Sequence, residues 1–441
     1  MFDNIVIGAG PAGLSVANFL KNRSNLILEK SGDVGGTAST FERGGFFFDY
    51  GPHIMFSKNK PVLEFMKRSL GDNIHECKRN NKISFNGSLI KYPFENDLSS
   101  LPKEDNFECI RDFVINPHKE KYPNPNNLEE WLLSVFGESI CAKYLFPYNE
   151  KVWNIPVRNL SMLWAERIPN PPVEDVIKSA VGFSTEGYLH QLYYHYPLRG
   201  GYQMLSRALA DSLDVQLNEE VLEIHKAEKH FEVKTTKGHY QASSVVSTMP
   251  VHMLPSMCQF EIPQNVRSAI DALIVNPMAV ISLGVKGEDQ DQFTAIYFPE
   301  RDFKVNRVSF PTTFSPYNSP PGHYSIQAEV TFSKTDPFAA KSDSEIIDHV
   351  VDGLTSRGIV DKKNIVLTDL RRVEFAYVVY DTGYEKNAKL VRDYFNSIGI
   401  HLNGRFGNFE YLNVDGIYDL SKRVAETITG DTVDLDSYFT N

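Results

Sequence analysis

The sequence predicts an α/β protein: a parallel βαβ unit at the N-terminus, a helical insertion after it, and a second strand-rich region beyond. Three observations predict this. A glycine-rich turn joins a strand to a helix in NIVIGAGPAGLSVANFLKN. Helical segments broken by prolines fill residues 100–185. Short β segments occupy residues 213–248 and return over 275–335.

Gly8, Gly10 and Gly13 spell G-x-G-x-x-G directly after the first strand and at the opening of the first helix. In this Rossmann-like setting the first glycine makes the tight turn and the second lets the backbone approach a pyrophosphate. The third allows close packing of helix on strand, and the helix N-terminus faces the phosphates. NLILEK is a second strand. Glu29 at its end stands 21 residues past Gly8, where a carboxylate accepts from a ribose hydroxyl. A second glycine cluster, Gly35-Gly36, follows it, and the chain closes with a glycine-containing segment leading through Asp415 into a helix. These two features favour FAD over NAD. With SVVSTMP (244–250), they resemble the glutathione-reductase-like FAD folds, amine oxidases and protoporphyrinogen oxidases among them.

The remaining elements follow in order. KISFNGSLIKY (82–92) is a hairpin turning at Asn86-Gly87. NLEEWLLSVFGESICAKYLFPYNEKVW and LSMLWAERI are helical, interrupted by prolines 147, 156, 169, 171 and 172. The stretch LSMLWAERIPNPP reads as an apolar helix that presents Arg167 just before a proline-rich break. Read alone, Arg167 is a cation at a helix C-terminus, paired with an acid such as Glu166. The other reading is an anion site. AVISLGV, TAIYFP, VNRVSFP and HYSIQAEVTF are strands, a helix covers about 343–356, and RRVEFAYVVY is a further strand.

At 441 residues the chain exceeds one ordinary core, so two or three domains are expected. Hydrophobic content of 42% and charged content of 23% are those of a soluble globular enzyme. A net charge of −11 argues against nucleic acid or an anionic membrane as partner. An anionic small molecule would need local positive charge, which singles out arginines inside apolar segments. Cys77, Cys109, Cys141 and Cys258 form neither a zinc pattern nor a CxxC pair and read as reduced thiols of a cytoplasmic protein. No metal cluster is evident. No apolar run approaches the ~18 residues of a membrane span, and the N-terminus lacks the features of a signal peptide.

FDYGPHIMFS (48–57), YPFENDLSSLPKE (92–104) and PYNEKVWNIPVRNLSMLWAERI (147–168) follow one another in the order of a single family. IYFPERDFKVNRVSFPTTFSPYN (296–318), RRVEFAYVVY (371–380) and GRFGNFEY (404–411) continue it. Through these segments the chain resembles the UDP-galactopyranose mutases, and most their eukaryotic branch. The resemblance implies a discontinuous FAD-binding domain (1–78, 200–262 and 395–441) and a helical domain (100–185). It also implies an antiparallel substrate sheet (79–99, 186–199 and 263–394).

The resemblance also implies roles. Arg167 and Arg307 match the arginines that bind the substrate diphosphate, and with His53, beside the flavin, they form the catalytic set. Tyr377 and Tyr411 match tyrosines on the same diphosphate. Tyr297, Trp153, Asn149 and Phe85 complete the substrate set. Gly8, Gly10, Gly13, Glu29, Gly36, Thr37, Ser39, His53, Val221, Arg405, Asn413 and Asp415 are the implied FAD contacts. The chemistry suits these residue types: guanidinium groups grip phosphate oxygens bidentately, and tyrosines add neutral donors on apolar rings.

The implied activity is interconversion of pyranose and furanose forms of a nucleotide sugar, UDP-galactose foremost. In it, N5 of reduced FAD attacks the anomeric carbon as UDP departs, the sugar ring opens and recloses, and no net redox change results. NADPH or NADH is the implied reductant. The alternative is an FAD-dependent oxidase or desaturase of the amine oxidase or protoporphyrinogen oxidase type, which would have an apolar substrate cavity and no need of Arg167 and Arg307. Residues 175–195 and EYLNVDGIYD depart from the family pattern, so sugar and base stay open, as does the oligomeric state.

Overall fold

The computed structural model describes residues 1–168, 170–187, 192–289 and 291–435. The expected helix break at Pro169, part of the segment 175–195 (residues 188–191) and the last residues of the expected FAD domain (436–441) lie outside them.

The first sheet is built around Phe2–Ile7. Asn25–Leu28 pairs parallel on one side, with Val215–Gln216 beyond it. His239–Ser247 pairs parallel on the other side, with Ile400–Leu402 parallel to its second half. Val221–Lys226 and Phe231–Thr235 continue the sheet antiparallel. Ile5 and Val6 are wholly buried, as expected of a parallel strand covered on both faces. The covering helices include Pro11–Phe19 and Val414–Thr429, tied by Ser15 Oγ to Ser421 Oγ (2.7 Å) and by the Asn403 amide, which donates to both the Ala12 carbonyl (2.9 Å) and Ser421 Oγ (2.9 Å).

The second sheet runs in the order Ile365–Val379, Ile274–Lys286, His323–Thr331, Arg307–Ser309, Ala295–Tyr297, Asn81–Phe85, Ser88–Lys91. All its pairs are antiparallel except Ala295–Tyr297 with Asn81–Phe85, which is parallel. The expected antiparallel sheet is therefore mixed. After residue 91 the chain forms the helical insertion, completes strands of the first sheet and re-enters the second sheet at Ile274–Lys286; only then does Ala295–Tyr297 lie beside Asn81–Phe85 in the same direction. The hairpin turn falls at Asn86-Gly87, both with positive φ (49° and 80°), which the twist of a tight hairpin requires.

Three expectations change. Residues 193–196 do not join the large sheet but pair with His75–Lys78 as a separate ribbon. The expected domain boundary at 394/395 falls inside the helix Tyr384–Ser397, which packs against Ile400–Leu402 of the first sheet. Met162–Arg167 is a 3₁₀ turn, not an α-helix. Its start is held by the Ser161 N–H donating to the Tyr380 carbonyl (2.8 Å) and by a bridge between Leu160 and Asp381.

Asp49 ties a separate strand pair, Thr40–Arg43 with Phe46–Asp49, to the second sheet and to the ribbon of residues 193–196. It is 4% exposed and its carboxylate accepts from the Thr40 hydroxyl (2.6 Å), the Tyr196 hydroxyl (2.8 Å) and the Tyr202 N–H (3.1 Å). Its own carbonyl accepts from Gln327 of the second sheet (2.7 Å). All of these donors are neutral, and burial pushes the acid up to about 6. The folded state therefore holds the proton more tightly than the unfolded chain. The group's contribution is fully present below its ordinary 3.8 and is lost as pH rises through about 6.

Two outcomes are expected. Asp49→Asn keeps the shape and removes the titration. Urea unfolding across that range should show wild type losing roughly 3 kcal/mol that the variant does not lose. A Cβ at position 13 would collide with the Gly8 carbonyl oxygen. Gly13→Ala should therefore destabilise by about 1–3 kcal/mol, read as a lower Tm.

Candidate active site

The glycine turn opens a cleft. Gly8 has φ 99°, and Gly10 caps the helix Pro11–Phe19 with no side-chain hydrogen bond, leaving the helix N-terminus open. The second glycine loop lies against the first: the Gly35 N–H donates to the Ala9 carbonyl (2.9 Å), and a Cβ at Gly36 would stand 3.3 Å from the Gly10 Cα. The helix Val414–Thr429 begins at Asn413, also without a side-chain cap, and its Val414 and Ile417 line the same cleft. Two uncapped helix N-termini and a side-chain-free floor suit the pyrophosphate of a dinucleotide.

Two cavities of about 510 and 270 Å³ share Pro11, Thr37, Tyr50, Phe375, Arg405 and Ile417 and so form one continuous cleft. The larger holds Gly8, Gly10, Glu29, Gly36 and Val221. The smaller holds His53, Arg307, Tyr377, Tyr411 and Asn413. Glu29 lines the larger cavity while its two oxygens accept from the Ala9 N–H (2.7 Å) and the Ser31 N–H (2.8 Å). Its carboxylate thus closes the glycine turn and still faces the cleft. Ser39 lines neither cavity; its hydroxyl donates to the Gly36 carbonyl (2.8 Å). Asp415 stands in the first turn of the closing helix, outside both cavities.

Arg307 and Arg405 line the narrow end with Tyr377 and Tyr411, whereas Arg167 is exposed, lines neither cavity and touches this end through Tyr411 alone. Tyr377 and Tyr411 stack with centroids 6.0 Å apart. Arg405 lies 4.0 Å over the Tyr411 ring and 5.8 Å from that of Tyr377, and its Nε is buried with no hydrogen-bond partner. Arg167 lies 4.8 Å over the same Tyr411 ring and donates to the Tyr411 carbonyl. Arg307 holds Glu329 through Nε (2.8 Å) and Nη2 (2.9 Å), which leaves Nη1 free for a ligand. Burial and the Glu329 charge keep the Tyr377 phenol well above its usual range, so it stays a donor, 3.4 Å from a Glu329 oxygen.

His53 follows Asp49 in the loop that crosses from the strand pair into this cavity. Its Nδ1 is 2.8 Å from the Gly51 carbonyl, and its ring lies 5.2 Å from that of Tyr202. Burial, helped by the charges of Arg405 and Arg307, pushes the imidazole down to about 4. It is therefore neutral near pH 7, with Nδ1–H donating to Gly51 and Nε2 left as an acceptor.

The other expected substrate residues divide. Trp153 stacks on Trp164 (3.9 Å) and meets Tyr377 and Tyr411 edge-on, each at 5.7 Å. Tyr297 stands 5.0 Å from Tyr92 and 5.6 Å from Tyr148. Asn149 is occupied within its own helix, donating to the Leu145 carbonyl (2.8 Å) and accepting from Trp153 Nε1 (3.1 Å). Phe85 is 8% exposed and packs on Phe94, so the structure places it in the core and not on the cleft. Its strand alternates, and Ile83 and Phe85 share the buried face.

Two cleft residues escape the sequence reading. Glu329 had a signal: Ser325, Gln327, Glu329 and Thr331 alternate along one strand, and all four are buried, which marks a polar face turned inward. Arg79 lines the smaller cavity with Nε and Nη2 buried and without hydrogen-bond partners, its guanidinium 5.5 Å from the Phe56 ring. Nothing local in CKRNN separates it from a surface cation.

Comparison with known proteins gives relatives and a fold. The chain is 26% identical over 246 residues to a UDP-galactopyranose mutase of Mycoplasma genitalium, covering 52% of this chain and 57% of that one. It is 27% identical over 172 residues to that of Mycoplasma pneumoniae, covering 36% and 42%. The chain thus spans about half the length of the curated relatives it matches. A crystal structure of reduced UDP-galactopyranose mutase superimposes with a TM-score of 0.90 at 24% identity, covering 100% of this chain and 98% of that one, and so shares the fold. Residues 11–404 match the profile of the flavin-containing amine oxidoreductases; they run from Pro11 at the mouth of the glycine turn to Gly404, which packs on Ala12 across the cleft, and the chain belongs to that family.

Proposed function

We propose that the protein is a flavin-dependent nucleotide-sugar mutase. It uses reduced FAD to interconvert pyranose and furanose forms of a nucleoside-diphosphate sugar, UDP-galactose foremost, with no net redox change. The observation that carries this reading is the pair Tyr377 and Tyr411 with Arg405 over both rings, Arg167 over Tyr411, and Arg307 beside Tyr377 through their shared Glu329. It lies at the smaller of two joined cavities, in a protein of net charge −11. Such a site takes an anion that the global field would repel.

FAD would lie with its pyrophosphate over the N-terminus of Pro11–Phe19, beside Gly10, Gly36 and Thr37. Its adenosine would point to Glu29 and Val221, and its ring to His53, Asn413 and Arg405. Reduced FAD, when bound, supplies the nucleophile for the anomeric carbon and is regenerated. Arg167 and Arg307 hold the diphosphate and stabilise its charge as it leaves. Tyr377 and Tyr411 orient it, and neutral His53 offers Nε2 as an acceptor beside the ring. Trp153 and Tyr297 wall the sugar and nucleotide side. NADPH or NADH serves as reductant. The oxidase reading shares the family profile, but an amine would meet the cations Arg307 and Arg405 at the narrow end.

The decisive experiment is anaerobic. After dithionite reduction, UDP-galactofuranose should convert to UDP-galactopyranose, while the oxidised protein converts none. Oxygen uptake with an amine or a porphyrinogen, and no sugar conversion, would replace the mutase with an oxidase. Arg167→Ala should weaken UDP binding by about 10- to 100-fold, ~1.4–2.8 kcal/mol, with bound flavin unchanged; unchanged UDP affinity would remove Arg167 from the site. Arg307→Ala should do the same but also lower Tm, because it strands the buried Glu329 carboxylate.

A further inference from the structure

The loop Phe298–Asn306 joins the strand ending at Tyr297 to the strand beginning at Arg307, and it folds around one ammonium group. Lys151 Nζ donates to the carbonyl oxygens of Phe298 (2.6 Å), Phe303 (2.7 Å) and Val305 (3.1 Å). An ammonium has three N–H donors, so these bonds use all of them. Lys151 belongs to the helix Phe146–Trp153, which also carries Tyr148, Asn149 and Trp153. The C-terminal end of that helix is fastened to the large sheet. The Asn276 amide donates to the Trp153 carbonyl (2.7 Å), and the Thr331 hydroxyl donates to the Lys151 carbonyl (3.1 Å).

The ion pairs of the same loop lie at the surface. Arg301 pairs with Glu150 (2.8 Å), Asp302 with Arg357 (3.1 Å) and Lys304 with Asp336 (3.0 Å), and the loop partner in each is 74%, 76% and 43% exposed. Exposed pairs contribute about 0–1 kcal/mol. The half-buried Lys151 ammonium on three carbonyls is a different case, since its removal leaves three acceptors without their donor. Tyr297 and Arg307 are direct cross-strand partners, and Tyr148 meets Tyr297 edge-on at 5.6 Å. The loop therefore governs both residues, and the tether runs to the helix facing them.

We propose that Lys151 is a positioning residue: its ammonium locks the Phe298–Asn306 loop to the helix Phe146–Trp153 and sets where Arg307 and Tyr297 stand opposite Tyr148 and Trp153. Lys151 lines neither cavity of the cleft, so it acts through those residues. The inference rests on the nucleotide-sugar reading, in which Arg307 meets the diphosphate.

The test compares FAD-loaded wild type with Lys151→Met, Lys151→Arg and a control, Ile270→Ala, buried in the helix Gln264–Asp271. Hydrogen exchange of amides 298–307 should quicken about tenfold in Lys151→Met, with bound flavin per chain unchanged and UDP affinity about tenfold weaker. Lys151→Arg keeps the charge but not the tripod, and should be intermediate in both; it carries the test if the methionine variant does not fold. Ile270→Ala should lower Tm and leave UDP affinity alone. Unchanged exchange at 298–307 would overturn the proposal. So would an equal loss of UDP affinity in Ile270→Ala at a matched fall in Tm. If wild type binds no UDP, the mutase reading fails, while exchange at 298–307 still decides the tether.

Discussion

The carbonyl oxygen of Gly8 occupies the space into which any residue but glycine at position 13 would put its side chain. That approach lets the helix Pro11–Phe19 lie directly on the first strand, and much of the molecule is arranged around it. The open helix N-terminus then faces the cleft. Glu29 closes the turn from the next strand through the Ala9 N–H, and the second glycine loop reaches the Ala9 carbonyl. The closing helix, from the far end of the chain, docks on the same helix through Ser15 and Ser421. A larger residue at 13 would loosen each of these contacts together, because all are measured from the same backbone.

The narrow end of the cleft solves an electrostatic problem in two ways. Arg307 is held by a carboxylate that is itself almost fully buried, a pairing whose desolvation cost is offset by bidentate geometry. The pair fixes where the guanidinium stands while its Nη1 stays available. Arg167 and Arg405 are instead held by the Tyr411 ring. An aromatic face orients a cation without neutralising it. The result is a local positive field within an acidic protein, and that combination suits an anionic ligand at this end of the cleft.

How much of this was legible in the sequence depends on the distance over which each cause acts. The glycine turn and the Asn86-Gly87 hairpin were legible because their φ requirements are local. Arg167 was half legible. Its chain position before a break was plain, but the short 3₁₀ turn is anchored at Tyr380 and Asp381, which no nearby residue announces. The pairing of residues 193–196 with His75–Lys78 was hidden for the same reason. Glu329 was legible in principle from the polar alternation of its strand. Phe85 was carried by resemblance to the site, although its own alternation with Ile83 pointed to the core.

By itself the sequence determined the dinucleotide turn, the helical and strand regions, and an acidic charge balance that makes clustered arginines meaningful. Only the tertiary structure decided that Arg167 meets Tyr411, 244 residues away, and that Lys151 ties a helix to the loop before Arg307. It also decided that Asp49 stands among neutral donors where burial raises its pKa. The physical reason is that hydrogen-bond periodicity and backbone sterics act between neighbours in the chain. Burial, cation–π contact and buried charge depend on which distant segments the fold brings together.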